Sequence, residues 1–329
     1  MNYKILRYPG FLFRPIYERT SIHRNVIEEL IDPELRIAYR HCRSITREYA
    51  KTFYMATRFL PNKKQRGVFA VYALCRSLDN IADTESAGYS SALSKSDKIH
   101  LLEQWKFDLI QLYNNNYKGN NPILLAFRDT ISSFNIKPDL PLLLIEGITS
   151  DLTKNRYQDF SELYDYSYRV ASVVGLMTTE IFGYSEKKAL DYAVDLGIAM
   201  QLTNILRDVG EDLEKDRIYL PLNELAGYGI DIEELFDHQC TDKFKAFMKF
   251  QIARARNYYQ NAEKGIDYLT KEARLPVYLA HYNYQRILNK IEENDYQVFT
   301  RRAYVSKREK VMSIPEIYWN KMYAKDIER

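Results

Sequence analysis

Apolar residues recur at three- and four-residue intervals along most of the chain, which is the spacing of an amphipathic helix. No segment alternates cleanly between apolar and polar residues, so no sheet is expected. The pattern predicts helices over residues Arg36–Phe59, Gln65–Thr84, Ile99–Tyr113, 123–134, 139–154, 159–183, 185–215, 243–268 and 274–294. The fold is therefore expected to be all-α.

Several stretches interrupt this helical pattern. Residues 1–35 are mixed in character and are expected to form a loose N-terminal arm. The Ser-rich segment 85–98 is predicted to be a loop, and 218–235, which holds Pro and Gly, a connection with one short helix. Since there is no internal repeat and no linker-like composition, a single domain over 36–310 is expected, followed by a tail over 311–329.

Composition excludes several classes of protein. The 47 Lys and Arg nearly balance the 44 Asp and Glu, so no general positive field for nucleic acid exists. The three cysteines form no Cys-x-x-Cys pair, which excludes a disulfide framework and a thiolate zinc site. Because the first residues lack the apolar stretch of a secretory signal and no apolar run approaches the ~20 residues of a spanning helix, a cytoplasmic protein is expected.

Two segments carry an Asp-x-x-x-Asp pair, Asp79 with Asp83 and Asp208 with Asp212. Residues four apart project from the same face of a helix, so each pair of carboxylates repels itself unless a cation lies over it. The spacing alone is a weak signal, because Asp191 with Asp195 also shows it and a solvated acidic face is its usual meaning.

The surroundings of the two pairs strengthen the signal. Each pair continues into a polar stripe on an otherwise apolar helix, formed by Tyr72, Arg76, Asp79 and Asp83 in one case and by Gln201, Asn204, Asp208 and Asp212 in the other. Such stripes are costly to bury without partners. If the two stripes face each other, they form a cage of four carboxylates.

Ligand type predicts the chemistry of such a cage. Carboxylate oxygens without His or Cys select Mg²⁺, with Mn²⁺ as a possible substitute, and Mg²⁺ usually completes its shell with water and substrate phosphates. Arg76, Arg207 and Arg217 can bind the remaining phosphate oxygens. A diphosphate bound in this way becomes a good leaving group, which is Lewis-acid catalysis of ionisation.

Short motifs follow one another in a specific order between about Glu48 and Lys310. They are Ala50–Tyr54, Tyr72–Asp83, Ile145–Gly147, Asp151–Leu152, Arg156–Tyr157, Tyr166–Gly175, Gln201–Asp212, Arg217–Pro221 and Phe299–Val305. In these motifs the chain resembles the phytoene/squalene synthase family, the head-to-head trans-prenyl diphosphate synthases, and most of all bacterial phytoene synthases. The resemblance implies an isoprenoid-synthase-type helical bundle with a central active-site cavity.

The resemblance also implies a mechanism. The metal ligands would be Asp79, Asp83, Asp208 and Asp212, and the Mg²⁺ cluster would ionise one prenyl diphosphate. The allylic cation would alkylate a double bond of a second prenyl diphosphate to give a cyclopropylcarbinyl diphosphate, and a second ionisation would lead to a linear hydrocarbon. By resemblance, Tyr166 is the active-site tyrosine, and the substrate-binding residues are Thr52, Tyr72, Arg76, Gln201, Asn204, Arg207, Arg217, Tyr219, Tyr284 and Arg302.

The length of the product is expected to depend on bulk along the pocket wall formed by Phe53, Ala56 and Thr57. Ala56 and Thr57 are small where members acting on shorter chains tend to carry an aromatic residue. This favours two geranylgeranyl diphosphates as substrates and phytoene, a carotenoid precursor, as the product. The alternative is a synthase of squalene or dehydrosqualene from two farnesyl diphosphates, with NADPH required only for squalene.

Other interpretations remain open. A non-catalytic assembly or scaffold relative is a second class, although such a protein has no reason to keep four buried aspartates. A Mg²⁺-dependent terpene cyclase is disfavoured by the motifs around Tyr166 and Arg217. The tail mixes cations with apolar aromatics, which is typical either of a packed C-terminal helix or of peripheral contact with a lipid surface. Within the Tyr166 motif, Ser167 and Ser172 replace a frequent cysteine and a frequent glycine, both small-for-small changes.

Overall fold

The computed structural model describes residues 25–83 and 93–323, and the side chains of Asn25, Thr52, Asp83 and Tyr323 lie outside that description. Within these ranges the chain is helical and contains no β-strand, which confirms the all-α prediction. Two isolated backbone bridges join Arg156 to Ile218 and Tyr184 to Leu269. The architecture is therefore a bundle of helices connected by short turns.

The first half of the described chain contains seven α-helices. They are α1 (Asn25–Glu28), α2 (Pro33–Tyr49), α3 (Lys51–Thr57), α4 (Asn62–Asp83), α5 (Lys95–Tyr113), α6 (Pro122–Ser133) and α7 (Asp139–Ser150). The second half adds α8 (Phe160–Ser167), a π-helical segment (Tyr168–Ser172), α9 (Val173–Phe182), α10 (Ala189–Arg207), α11 (Val209–Glu214), α12 (Leu222–Gly227), α13 (Ile232–Phe236), α14 (Asp242–Ile266), α15 (Lys271–Glu293), α16 (Lys307–Ile317) and a second π-helical segment (Tyr318–Tyr323).

Local sequence explains where several helices begin. Ser94 and Ser306 form capping boxes with the acidic residues three positions later, and Asp32 and Asn121 accept hydrogen bonds from the first free N–H groups of α2 and α6. Each such cap stabilises its helix by about 1 kcal/mol. In α2 and α6 a proline occupies the first helical position, where its missing N–H costs nothing.

The predicted helix over 36–59 is wrong as one element, because it divides into α2 and α3 at Ala50, whose φ of −128° and ψ of 55° are not helical. The predicted loop over 85–98 is too long, since the capping box at Ser94 starts α5 at Lys95; residues 84–92 lie outside the described chain. The connection over 218–235 holds two short helices, α12 and α13, instead of one.

The helix predicted over 185–215 is also interrupted. It divides into α10 and α11 at Asp208, where φ is −104° and ψ is 15°. Hydrogen bonds from Asp208 N to Asn204 O and from Asp212 N to Asp208 O, both 2.9 Å, nevertheless continue across the break. The residues of the second polar stripe therefore keep a nearly helical arrangement across the break.

The helix predicted over 159–183 contains the π-helical segment Tyr168–Ser172, which inserts an extra residue into the turn after Tyr166. Glycines on both sides make room for it. A Cβ at Gly147 would lie 2.8 Å from Arg169 and Val170, and a Cβ at Gly197 would lie 2.5 Å from the Ser172 backbone. The glycines thus allow α7 and α10 to approach this segment closely.

The core has two clusters of buried apolar residues. One is built from α1 to α7 and α9 together with part of α15, and the other from α8 and α10 to α15 with the chain that follows α15. Tyr168 and Leu196, which lie on the π-helical segment and α10, pack against both clusters. The predicted site residues on α4 and α10 therefore come from opposite halves of the bundle.

The C-terminal elements pack onto α15. Ser313 on α16 is buried and its hydroxyl lies 3.4 Å from Oδ1 of Asn283, while Lys290 pairs with Glu309. The domain boundary expected at 310 thus falls inside α16. Among the described residues, every helix is too short or too polar to span a bilayer.

Candidate active site

The first polar stripe lies on α4. Tyr72 packs its ring against Phe53 with centroids 5.8 Å apart, and burial raises the pKa of Tyr72 to about 12, an effect to which the charge of Asp79 adds. The guanidinium of Arg76 lies 4.6 Å from the ring centroid of Tyr49. Its Nε atom is buried and has no hydrogen-bond partner among the described residues. Tyr72, Arg76 and Asp79 therefore share one face, as the sequence predicts.

Two more predicted site residues, Asp83 and Thr52, belong to the same part of the site as the first polar stripe. Asp83 ends α4 and Thr52 lies on α3, but both side chains fall outside the described chain, so their predicted roles stay predictions. Cys75 lies on the same helix, and burial together with Asp79 raises the pKa of its thiol. This fits the interpretation of Cys75 as a small buried residue and not a nucleophile.

The second stripe lies at the end of α10 and on α11. Nδ2 of Asn204 donates a hydrogen bond to Oε1 of Gln201 at 3.3 Å, while Oδ1 of Asn204 is buried without a partner among the described residues. The similar pair Asp191 and Asp195 faces elsewhere, because Asp195 accepts a hydrogen bond from Asn261 on α14. Asp195 is thus engaged by α14, and the roles predicted for Asp208 and Asp212 stay predictions.

Two arginines bind the carboxylate of Asp208. Arg207 lies 2.7 Å from Oδ1 through Nε and 2.5 Å from Oδ2 through Nη2. Arg302 reaches the same two oxygens from the chain after α15, at 2.9 and 3.2 Å, and its Nη1 lies 3.2 Å from Glu211. The close approach of this segment requires Gly210, because a Cβ there would overlap the backbone of Phe299.

Asp212 has a different environment from Asp208. Burial and the charge of Asp208 raise the pKa of Asp212 to about 7, although Lys215 and Arg217 oppose the shift. The charges of Lys215 and Arg217 therefore only partly offset the cost of burying this carboxylate near Asp208. Asp212, Arg217 and Tyr219 also line a small cavity whose other walls are apolar.

Three tyrosine rings surround a carboxylate beside this cavity. The ring centroids of Tyr157, Tyr166 and Tyr219 lie 5.2–5.5 Å from one another. The hydroxyls of Tyr166 and Tyr219 each donate a 2.9 Å hydrogen bond to Asp151, one to each carboxylate oxygen. Burial first, and then the charge of Asp151, raises the pKa of both phenols. The predicted active-site tyrosine is thus part of a cluster.

Sequence reasoning assigned no role to Asp151, although the residue belongs to a motif that carries the family resemblance. The signal was position only: Asp151 follows directly after α7. Arg156, from the same motif group, has a structural task instead, because it binds the carbonyl and the carboxylate of Asp216, both at 2.5 Å.

Tyr284 of α15 lies near residues of both α4 and α10. Its hydroxyl is close enough to Tyr72 on α4 and to Arg207 on α10 to affect the pKa of each. Lys310, which sequence reasoning also missed, is half-buried on α16, and burial and the nearby charge of Arg207 lower its pKa. Cations from three elements therefore surround the space beside Asp208.

The residues predicted to set chain length lie on α3. Ala56 and Thr57 are buried on α3, and the hydroxyl of Thr57 donates a hydrogen bond to the carbonyl of Tyr54 at 2.8 Å. Phe53 touches the Tyr72 ring. All three thus lie on one short helix beside the first polar stripe.

The donor atoms suit a hard divalent cation. Burial of Asp212 is only partly offset by nearby cations, and Oδ1 of Asn204, which has no partner among the described residues, lies on the same stripe. Among the side chains that the structure describes, no three carboxylate, His or Cys groups already converge as a metal site, and Asp83 is outside that set. The four-aspartate cage is therefore a prediction for which the second stripe supplies the supporting chemistry.

Known proteins are similar to this chain in sequence and in fold. The model of the squalene/phytoene synthase family matches residues 46–309. Chloroplastic phytoene synthase 2 of Solanum lycopersicum is 41% identical over 287 residues, covering 85% of this chain and 90% of its own length. Chloroplastic phytoene synthase 2 of Oryza sativa subsp. japonica is also 41% identical over 287 residues, covering 85% of this chain and 70% of its own.

Solved structures of known proteins also resemble this chain in fold. A dehydrosqualene synthase in complex with ligand superposes with a TM-score of 0.79 at 28% identity, covering 89% of this chain and 98% of that chain. The squalene synthase HpnC from Alicyclobacillus acidocaldarius superposes with a TM-score of 0.74 at 24% identity, covering 83% and 99%, and supports the fold.

Proposed function

The chain belongs to the squalene/phytoene synthase family, and on this premise we propose that it condenses two geranylgeranyl diphosphates head to head into phytoene. One observation carries the C40 product: phytoene synthases match at about 40% identity over most of the chain, whereas the dehydrosqualene synthase is 28% identical. The enzyme is a prenyltransferase of isoprenoid and carotenoid biosynthesis. A C30 product from farnesyl diphosphate is the alternative that the structural similarity leaves open.

The cationic residues of the site bind the diphosphates. Arg207 and Arg302 already converge on Asp208, and Lys310 adds a half-buried charge beside them. Arg76 presents from α4 a buried Nε that has no hydrogen-bond partner among the described residues, and Arg217 lines the cavity beside Asp212. Guanidinium groups match phosphate oxygens with paired hydrogen bonds, so these residues hold and orient the leaving group. Gln201, Asn204 and Tyr284 complete the polar wall, with Thr52 from α3.

Asp79, Asp83, Asp208 and Asp212 would hold Mg²⁺, with Mn²⁺ as a substitute. When bound, the metal supplies Lewis-acid stabilisation of the departing diphosphate. The tyrosine rings and apolar side chains then line the path of the hydrocarbon cation. Aromatic faces stabilise positive charge without offering a strong nucleophile, which keeps the cation from being trapped before it rearranges.

Chain-length selection is assigned to α3. Ala56 and Thr57 are small and buried, so the wall they form beside Phe53 leaves room for a longer prenyl chain. One wall residue changes discrimination between substrates by about 1–3 kcal/mol.

Peripheral membrane contact is proposed for α16. Val311 and Met312 are 51% and 63% exposed, while Ser313 and Ile317 on the other side of the helix are buried. A helix that buries one face and exposes apolar side chains near Lys307 and Arg308 suits an anionic lipid surface, into which an insoluble hydrocarbon product can pass. Flotation with anionic liposomes tests this. The variant Val311→Ser with Met312→Ser should bind less, whereas Phe107→Ser on α5, also an exposed apolar site, should bind normally.

Product analysis tests the function. Purified protein with Mg²⁺ receives C15 and C20 diphosphates separately, and the extracted hydrocarbons are identified. Phytoene from the C20 substrate is the expected result. A C30 hydrocarbon from the C15 substrate, with no turnover of C20, would replace the phytoene assignment with the C30 alternative. No condensation of either would support a non-catalytic relative.

A further inference from the structure

Asp151 binds two phenols at once. Oδ2 accepts a hydrogen bond from Tyr166 and Oδ1 accepts one from Tyr219, both at 2.9 Å. Both tyrosines are buried, with 6% and 8% of their surface exposed, and their rings are stacked at 5.2 Å. A single carboxylate therefore sets the position of both hydroxyls and the angle between both rings.

The backbone around Asp151 is fixed from the same side. Arg217 donates a hydrogen bond to the carbonyl of Asp151 at 3.2 Å, and Ile218 N donates one to the carbonyl of Asn155 at 2.9 Å. These contacts join the turn after α7 to the segment that carries Tyr219. The carboxylate thus sits on a braced turn and can hold the phenols in one orientation.

The direction of the hydrogen bonds determines what each phenol offers to a substrate. Because both O–H groups point at Asp151, neither can donate to a diphosphate oxygen. A phenol that donates to a carboxylate becomes more electron-rich, which strengthens the attraction of its ring for a cation. Tyr219, which lines the small cavity with Asp212 and Arg217, and Tyr166, which stacks on Tyr219, therefore carry electron-rich rings.

We propose that Asp151 is a positioning residue that holds Tyr166 and Tyr219 as a cation-stabilising wall for the second ionisation. The proposal rests on the condensing function given above. The first ionisation produces an allylic cation, which is stabilised by its own double bond. The cation formed from the cyclopropylcarbinyl diphosphate must survive a rearrangement before it loses a proton, so it depends most on its surroundings.

The test compares Asp151→Asn with the wild type. Asparagine keeps the shape but removes the charge and accepts only one phenol. Turnover to hydrocarbon should fall by roughly 10- to 100-fold, as expected for the loss of a charge-assisted hydrogen bond, while KM changes little. The fraction of product recovered as cyclopropylcarbinyl diphosphate should rise. Asp165→Asn is the matched control, because Asp165 neighbours Tyr166 but is exposed and pairs with Arg169.

A second comparison separates positioning from folding. In Tyr166→Phe protein, Asp151→Asn should reduce turnover by a smaller factor than in the wild type, since one of the two bonds is already absent. A folded Asp151→Asn protein with wild-type turnover and product ratio would overturn the proposal, as would additive losses in the double variant. If wild-type protein forms no product from either substrate, the proposed function fails and this inference fails with it, a result distinct from an unaffected variant.

Discussion

Arg302 binds Asp208 from 94 residues away in the chain, with Nε 2.9 Å from Oδ1 and Nη2 3.2 Å from Oδ2. Arg207 binds the same carboxylate from the adjacent position. Asp208 therefore orients two guanidinium groups at once, and both would become available to a substrate anion if a metal ion bound the carboxylate.

Arg302→Lys should raise KM for the prenyl diphosphate by roughly 5- to 30-fold, the equivalent of about 1–2 kcal/mol. The physical reason is that an ammonium group cannot reproduce the paired hydrogen bonds of a guanidinium. Steady-state kinetics at saturating Mg²⁺ measures the effect. Arg301→Lys, a change at the exposed neighbouring position, serves as the control; equal effects at both positions would argue against a specific role for Arg302.

Asp212→Asn should stabilise the metal-free protein and inactivate the enzyme. Burial and the charge of Asp208 disfavour the ionised carboxylate more than Lys215 and Arg217 favour it, so removing its charge should raise the free energy of unfolding by roughly 1–3 kcal/mol in the presence of chelator. Condensing activity should fall at least about 100-fold, because one of the four proposed metal ligands is lost. Thermal melts with EDTA and product assays with Mg²⁺ measure the two effects.

The control for that experiment is Asp216→Asn. Asp216 is exposed, pairs with Arg156 and has a positive φ of 53°, a conformation that Asn adopts easily. It should keep its activity and should not gain stability. A destabilised Asp212→Asn protein would show that the carboxylate is already compensated in the absence of metal.

His281 should make stability depend on pH below about 6.5. Its ring is buried, Nε2 donates a hydrogen bond to the carbonyl of Tyr259 at 2.9 Å, and burial lowers its pKa below 6.5 despite Glu263. The unfolded chain takes up a proton near pH 6.5 while the folded chain does not. Stability is therefore fully present above pH 6.5 and decreases as the pH falls, by up to about 1.4 kcal/mol per pH unit.

Urea unfolding between pH 5 and pH 7.5 measures that dependence. His281→Gln keeps a hydrogen-bond donor and should flatten the curve below pH 6.5, whereas His41→Gln, at an exposed site, should leave it unchanged. An unaltered slope in His281→Gln protein would assign the pH dependence to other groups, such as the Glu263–Lys321 pair that faces the ring.

The sequence predicted the class of fold because its apolar periodicity is local information. It missed the breaks at Ala50 and Asp208, since neither position carries a proline or glycine and alanine is the strongest helix former. Both breaks coincide with tertiary contacts: α3, which follows the first, carries Phe53 to Tyr72, and the second lies where Arg302 binds Asp208.

The candidate site shows the same contrast between local sequence pattern and long-range packing. The polar stripes could be predicted, because residues of one helix keep a fixed angular relation. The meeting of Asp151 with Tyr166 and Tyr219 could not, since it depends on how α7, α8 and the chain after α11 pack together. Local patterns indicated which residues carry the chemistry, and long-range packing determines which of them touch.

Ala56→Phe should shift the substrate preference from C20 toward C15 diphosphates. Ala56 is 7% exposed on α3 beside Phe53 and Thr57, so a phenyl ring there shortens the space along that wall. The ratio of kcat/KM for C20 over C15 should decrease by roughly 10- to 200-fold, the range for bulk added in an apolar pocket. Met55→Phe adds an aromatic ring at the next residue, which is 46% exposed, and should keep the C20 preference. If Ala56→Phe reduces turnover of both substrates equally while the protein remains folded, residues other than Ala56 determine which length of prenyl chain the enzyme accepts.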